Sequence, residues 1–525
     1  MVKSGDTYTY FDQFTSMPSF NHYNSYRVGS DYDLTPHHTI GFVVNGYYNS
    51  NQDDNFNITR IGSKLAAIDS IQNTVSQMKQ HYKNFALNLN DRYQIDTLGQ
   101  ELSVDLDYSK FSNNSAAYYN NYFYLPDGQQ QRPPLFLQNQ TPSTITIHTA
   151  KVDYAYPFTK SIKLETGFKL SDVQTDNDLE AQLQNTSGSF VNDTSRTNHF
   201  VYQEKVDAAY VNLSKTYKNT SIQAGVRAER TSSIGNLITH SQVVDRHYLD
   251  FFPSLFVNHT IDKKNEVGFS YSRRIDRPDY ENLNPFVYYL DQYTYEKGNP
   301  FLKPQYTHNF ELNYTWNKLI NVSLGYSRTS DVITQIILTD TVKKATFQTN
   351  LNLQVQNSYS LNINSPFTIN NWWTGDVNFN SFYLGFKSNG LLGGNLNDGQ
   401  LAYQLRSSQN FTFIKGYRLE LMGNYQSALT YGIFKIRPQY NVDAGISHSF
   451  ANKKDNIKLS VSDVFNTRKN MVSSIYQSVN LQVDEKHETR VTRLSFTYNF
   501  GNTKIKVRQH KTGADEESGR VKGGN

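Results

Sequence analysis

EVGFSYSRRIDRPDYENLNPFVYYLDQYTYEKGNPFLKPQYTHNFELNYTW, residues 266–316, sets two alternating runs on either side of a long connection. In the first run Val267, Phe269 and Tyr271 alternate with Gly268, Ser270 and Ser272. In the second, Phe310, Leu312, Tyr314 and Trp316 alternate with Glu311, Asn313 and Thr315. A period of two puts the apolar residues on one face of a strand and the polar residues on the other. The connection, roughly thirty residues long, holds Pro278, Pro285, Pro300 and Pro304 among many tyrosines, and loops of that length are usually functional or disordered. Amphipathic strands joined by long aromatic loops are a mark of membrane β-barrels.

The same rhythm runs through the chain. Leu102, Val104, Leu106 and Tyr108 alternate with Ser103, Asp105 and Asp107, and Val322, Leu324 and Tyr326 alternate with Ser323, Gly325 and Ser327. Short turns are predicted at 96–99, 159–161, 217–219, 262–265, 317–319, 415–416 and 451–454. Long connections are predicted at about 126–141, 173–195, 232–241, 276–304, 389–399 and 470–485. Tight turns at one end and long loops at the other are the asymmetry of a bacterial outer-membrane barrel, so the expected fold is all-β: a transmembrane antiparallel β-barrel of about nineteen strands. The barrel is expected over residues 1–500, and the charged, glycine-rich, aperiodic residues 501–525 read as a disordered periplasmic tail.

Composition agrees. The 525 residues include 38 Tyr and 32 Phe, no Cys, and a mean hydropathy of −0.64. Barrel strands dilute apolar residues one for one with polar lumen residues, so a low hydropathy does not argue against a membrane. No apolar run is long enough for a helical span. The 51 basic and 47 acidic residues are interspersed, giving a net charge of +4 and no basic stripe for nucleic acid. Without cysteine there are no disulfides, thiolate metal sites or cysteine nucleophiles. The histidines are scattered, and Asp105, Asp107, Glu266 and Glu311 form no acid–base constellation, so neither a metal site, a cofactor site nor a catalytic site is expected.

An odd strand count leaves a closed barrel at least one strand short, unless Thr7 to Phe14 supplies it. With no signal-like segment after Met1, the expectation is the downstream part of a longer, exported chain.

Several segments carry a family resemblance: Phe252-Pro253-Ser254-Leu255, Tyr271-Ser272-Arg273-Arg274-Ile275-Asp276-Arg277-Pro278, Leu283-Asn284-Pro285-Phe286 and Gly298-Asn299-Pro300-Phe301-Leu302-Lys303-Pro304-Gln305, with Asp96-Thr97-Leu98-Gly99 and Asp463-Val464-Phe465-Asn466 outside them. Together they resemble the outer-membrane β-barrel family of TonB-dependent receptors of Bacteroidetes type. That resemblance implies a 22-stranded barrel, an amino-terminal plug, a TonB-box and often a preceding regulatory-like domain. On that resemblance the expectation is the barrel portion without its plug. It implies ligand binding and uptake across the outer membrane, with outer-membrane lipid around the barrel and a small ligand of unknown identity. A plug domain and a TonB-type energy-coupling protein enter as partners only if upstream domains exist. The alternative is a surface scaffold or adhesin whose loops bind a partner without transport. Candidate ligand contacts lie in the 276–304 connection: Arg277, Asp279, Tyr280, Tyr288, Tyr289, Tyr293 and Tyr295. The same tyrosines also suit an outer aromatic girdle or packing within the loop.

Overall fold

The computed structural model describes residues 2–4, 7–64, 67–340, 345–414, 416–450, 455–500 and 512–522. About four fifths of them lie in strands; the helical pieces are the single turns Tyr280–Leu283 and Asp515–Ser518 and the 3₁₀ turn Ile238–His240. Nineteen successive antiparallel runs make the wall, counting Thr7–Ser16, Ser19–His22 and Ser25–Thr35 as one interrupted run that pairs with His38–Lys64. Thr7–Ser16 is therefore the upper part of the first stave and not an additional strand.

One observation fixes the environment. Along Gln305–Trp316 the apolar Phe310, Leu312 and Trp316 are 39%, 46% and 51% exposed, while Glu311, Asn313 and Thr315 are shielded. Elsewhere Leu106, Phe168, Leu170, Val211, Leu213 and Leu249 also face outward, whereas Asn57, Thr59, Thr74, Asn121 and Lys169 are buried. A sheet folded for water does the reverse. An apolar exterior around a polar interior is stable where hydrocarbon is the outer solvent, and strand ladders satisfy the backbone there.

The turns at 96–99, 159–161, 217–219, 262–265 and 317–319 are tight in the structure. In the first, Asp96 Oδ1 accepts the N–H groups of Leu98, Gly99 and Gln100 at 2.9, 3.0 and 2.9 Å, the side chain standing in for a turn carbonyl. The turn expected at 451–454, and Lys415, lie outside the described residues.

Most of the long connections are instead strand. Gln130–Thr159, Ile162–Gln184, Thr220–Leu237 and the pair Trp373–Leu391 and Gly394–Ile414 carry the ladder through much of the stretches expected as loops at 126–141, 173–195, 232–241 and 389–399. Beyond the bilayer both faces of a strand meet water, so the apolar alternation that marks a strand disappears while the backbone pairing continues. The last outer connection holds its own hairpin, Asn470–Tyr476 with Val479–Glu485.

Closure is partial. At one rim Val2 pairs with Val479. Among the described residues Ser25–Thr35 and Thr492–Tyr498 each pair on one side only, so the last strand does not close against the first.

A candidate lumen site

Residues 277–304 do not stand out as an external loop. They fold into the lumen. Tyr280, Leu283, Phe286 and Leu302 are buried against wall residues Ile145, Ile147, Val173, Leu179, Phe200, Tyr202 and Leu237 in one apolar cluster. The apolar side chains of the Leu283-Asn284-Pro285-Phe286 and Gly298-to-Gln305 segments need cover, and the inner wall supplies it. Leu302, with no exposure, loses its cover if the segment swings out.

The backbone is pinned as well. Asn299 donates its N–H to Asn282 O at 2.7 Å and its Nδ2–H to Asn350 O at 3.0 Å. A Cβ on Gly298 would lie 1.9 Å from Asn284 O, so only glycine permits this approach. Within the segment Val287–Asp291 and Thr294–Lys297 form a hairpin, and the second strand lies parallel to Ala345–Asn370 through the pair Thr294↔Thr346. At the hairpin tip the Asp291 carboxylate accepts hydrogen bonds from Thr59 Oγ1 and Gln13 Nε2, both at 2.8 Å. The hairpin thus ties the first staves to one far along the sheet, as a crossbar.

A second insertion joins it. Residues 512–522 were expected within a disordered tail; they are packed in the lumen, with Ala514, Glu517 and Arg520 buried, while 501–511 and 523–525 lie outside the described residues. The missed signal is spacing: Ala514, Glu517 and Arg520 recur every three residues and line one side of a helical turn. The wall residues that receive Glu517, Arg520 and the crossbar's Arg277, namely Lys169, Glu204 and Glu229, carry charge at inward positions of otherwise amphipathic strands, and that parity was legible. Lys169 Nζ sits 2.8 Å from Glu517 Oε1, Arg520 pairs with Glu204, and Arg277 Nη2 lies 2.7 Å from Glu229 Oε2.

The seven candidate residues therefore divide. Arg277 is buried in its pair with Glu229 and a hydrogen bond to Thr231 at 2.9 Å. Asp279 pairs with Lys522 at 2.7 Å, and Tyr280 lies beneath the Arg520 guanidinium, 4.2 Å from ring centroid to cation. Tyr289 meets Tyr119 edge-on, Tyr293 meets Phe11 at 5.5 Å, and Tyr295 stacks on Phe347 at 5.1 Å with the rings nearly coplanar in orientation. These six contacts hold the crossbar. Two of the seven also line a cavity of about 260 Å³ between loop and wall: Tyr280, and Tyr288, which is 42% exposed.

Tyr47, Tyr82, Lys83, Asn113 and Glu296 line the same cavity, an aromatic and amide surface with both charge signs. Glu281 opens onto it too. The surrounding protein pushes its carboxyl up to about 8, against the opposing Lys522 ammonium and with help from Asp279 and Glu296. Such a surface can stack on and hydrogen-bond a polar solute; it presents no nucleophile–base pair. Among the described residues no group of three or more His, Asp or Glu converges as metal ligands.

The family model for the outer membrane protein beta-barrel family matches residues 93–498, more than three quarters of the chain. The chain belongs to that family. It is an outer-membrane β-barrel. No curated protein sequence matches it. Among solved structures it is similar to the ferric yersiniabactin uptake receptor FyuA from Yersinia pestis, with 9% identity over 95% of this chain and 81% of that one, at a TM-score of 0.51. It is also similar to the siderophore receptor PirA from Pseudomonas aeruginosa, with 12% identity over 91% and 80% of the two chains and a TM-score of 0.46. The outer membrane transporter YddB from Escherichia coli gives 11%, 91%, 76% and 0.45 in the same order. At these identities the likeness concerns the fold.

Proposed function

We propose that this barrel is the receptor and conduit part of a TonB-dependent type of transporter, binding a small polar ligand in the lumen for uptake across the outer membrane. The observation that carries the reading is the cavity enclosed by the in-folded segment and lined by Tyr47, Tyr82, Lys83 and Tyr288. Pockets with aromatic walls and a few placed polar groups are the usual form of a small-ligand site. The likeness to a ferric yersiniabactin uptake receptor makes ferric chelates the first ligands to try. Energised uptake belongs to this reading only with a plug and a TonB-type coupling protein acting on the barrel. Arg277, Asp279, Tyr289, Tyr293 and Tyr295 then position the site, and Tyr280 and Tyr288 face the ligand.

Cells carrying the protein, its Tyr82→Ala or Tyr288→Ala variants, or none would be compared for accumulation of radiolabelled ferric chelates, alongside ligand binding by the purified barrel. Reduced accumulation and binding in both variants, with normal amounts in the membrane, are expected. Identical accumulation with and without the protein across the panel, and no binding, would remove the receptor reading.

A further inference from the structure

A cluster of charged and apolar residues on the lumen wall adjoins the cavity, and residues 512–522 cover it. Residues 512–522 lie along the inner wall through one contact per step. Gly513 packs against Asp107, where a Cβ would stand 2.6 Å from Asp107 Oδ2. Glu517 meets Lys169 at 2.8 Å, and Glu516 reaches Arg277 at 3.4 Å. Arg520 pairs with Glu204, donates its Nε–H to Pro278 O at 3.0 Å and covers the Tyr280 ring, while its own carbonyl accepts the Tyr280 N–H at 3.3 Å. Lys522 closes the series on Asp279. The occupant thus contacts both the wall and the crossbar, and Val521 and Lys522 form part of the cavity lining.

We propose that this is a peptide-binding site on the lumen wall, built for a single helical turn bearing a small residue, an acid and a base three residues apart. In the resting protein the chain's own Ala514, Glu517 and Arg520 fill it as a releasable latch on the crossbar. Two features favour release over permanent structure. The contact is chiefly ionic, and the desolvation cost of a buried ion pair offsets most of its attraction, so the segment is held weakly for the number of contacts it makes. The segment has no strand pairing, so it leaves the wall ladder intact when it goes. Its departure uncovers Glu204, Lys169 and Tyr280 and takes Val521 and Lys522 out of the cavity lining. The consequence for passage rests on the conduit reading above; the site itself does not.

The cysteine-free sequence allows a direct test. In the full chain, Ala514→Cys supplies one thiol, and its reaction with a bulky, membrane-impermeant maleimide reports release. Slow labelling is expected with Arg520 in place, at least tenfold faster labelling with Arg520→Glu, and a return to slow labelling when Glu204→Arg restores the pair with charges exchanged. Glu517→Gln, which removes a partner from Lys169 without repulsion, should speed labelling in the same direction by a smaller factor. Labelling equally slow in all variants, or equally fast in all, overturns the latch. Solute entry into proteoliposomes, read on the same variants, separates the two ideas: faster labelling without faster entry keeps the site and overturns the conduit.

Discussion

Two arcs of the same sheet are built to different depths. From His38–Lys64 to Thr220–Leu237 the strands run 18 to 30 residues, and their inner faces include Thr59, Thr74, Ile147, Val173 and Ala181, all with no measurable exposure or next to none. From Gln439–Ser449 to Thr492–Tyr498 they run 11 residues or fewer, and Leu494, Phe496 and Tyr498 are 73%, 65% and 52% exposed. Ladder hydrogen bonds are common to both arcs. What differs is the inner packing: the crossbar and latch give the long arc an apolar core, while the strands of the short arc have none beneath them and rely on ladder, lipid and the polar network around Asp463. Perturbations of interior residues should therefore be large on the long arc and small on the short one, with lipid-face charges the exception.

The largest effect is expected for Arg277→Ala. It leaves the buried Glu229 carboxylate with Arg227 as its one remaining cation and removes the Thr231 and Glu516 contacts as well, a loss of about 3 kcal/mol. It should appear as earlier loss of heat-resistant gel mobility and greater protease access to residues 277–304. Next comes Gly298→Val, where the added Cβ meets Asn284 O; overpacking of this kind costs about 1–3 kcal/mol, read as a lower denaturant midpoint. On the short arc, Leu494→Arg tests the lipid face. A charge there costs about 2–4 kcal/mol at the bilayer midplane and less toward either interface, so folding into thin and thick bilayers should reveal its depth.

A smaller effect is expected at Asp463, which anchors the last outer connection. Burial opposes its charge, but hydrogen bonds from Thr489 Oγ1 and from the backbone N–H groups of Thr467 and Arg468 outweigh that and hold its carboxyl down to about 2. A carboxyl lowered on folding contributes stability that is present above the ordinary Asp range, near 3.8, and lost as the pH falls toward 2. Acid titration of protease resistance at 462–491 should show that loss, and Asp463→Asn should abolish the dependence. A dependence unchanged in the variant would place its origin elsewhere. The smallest effect belongs to Lys163→Ala, which breaks an exposed pair with Glu165 and should change stability by less than about 1 kcal/mol.

The fold was legible where hydrocarbon imposes a pattern. Phe269, Phe310, Leu312 and Leu324 alternate because one face meets lipid, and that alternation gave the nineteen runs and most tight turns. Beyond the bilayer the constraint lapses, so the polar arms of Gln130–Thr159 and Ile162–Gln184 resembled loops. The site was half legible. Residues 277–304 stood out by proline, tyrosine and length, yet nothing local says whether such a segment points outward or inward; that depends on wall residues such as Phe200 and Ile147 more than a hundred positions upstream or nearly so. The latch was hidden by its setting, since Glu516, Glu517 and Arg520 read as solvated charge until Lys169, Arg277 and Glu204 are placed beside them.

The long hairpin of His38–Lys64 with Ala67–Gln94 keeps an unbroken register from Tyr93 up to Ser70. Adding one residue to either arm would exchange its lipid and lumen faces above the insertion and misalign it with both neighbours. Two residues on each arm change neither face. Length variation at the outer rim is thereby restricted to paired steps, four residues to a hairpin, and related chains should differ in rim height by whole multiples of that step wherever no bulge absorbs the remainder.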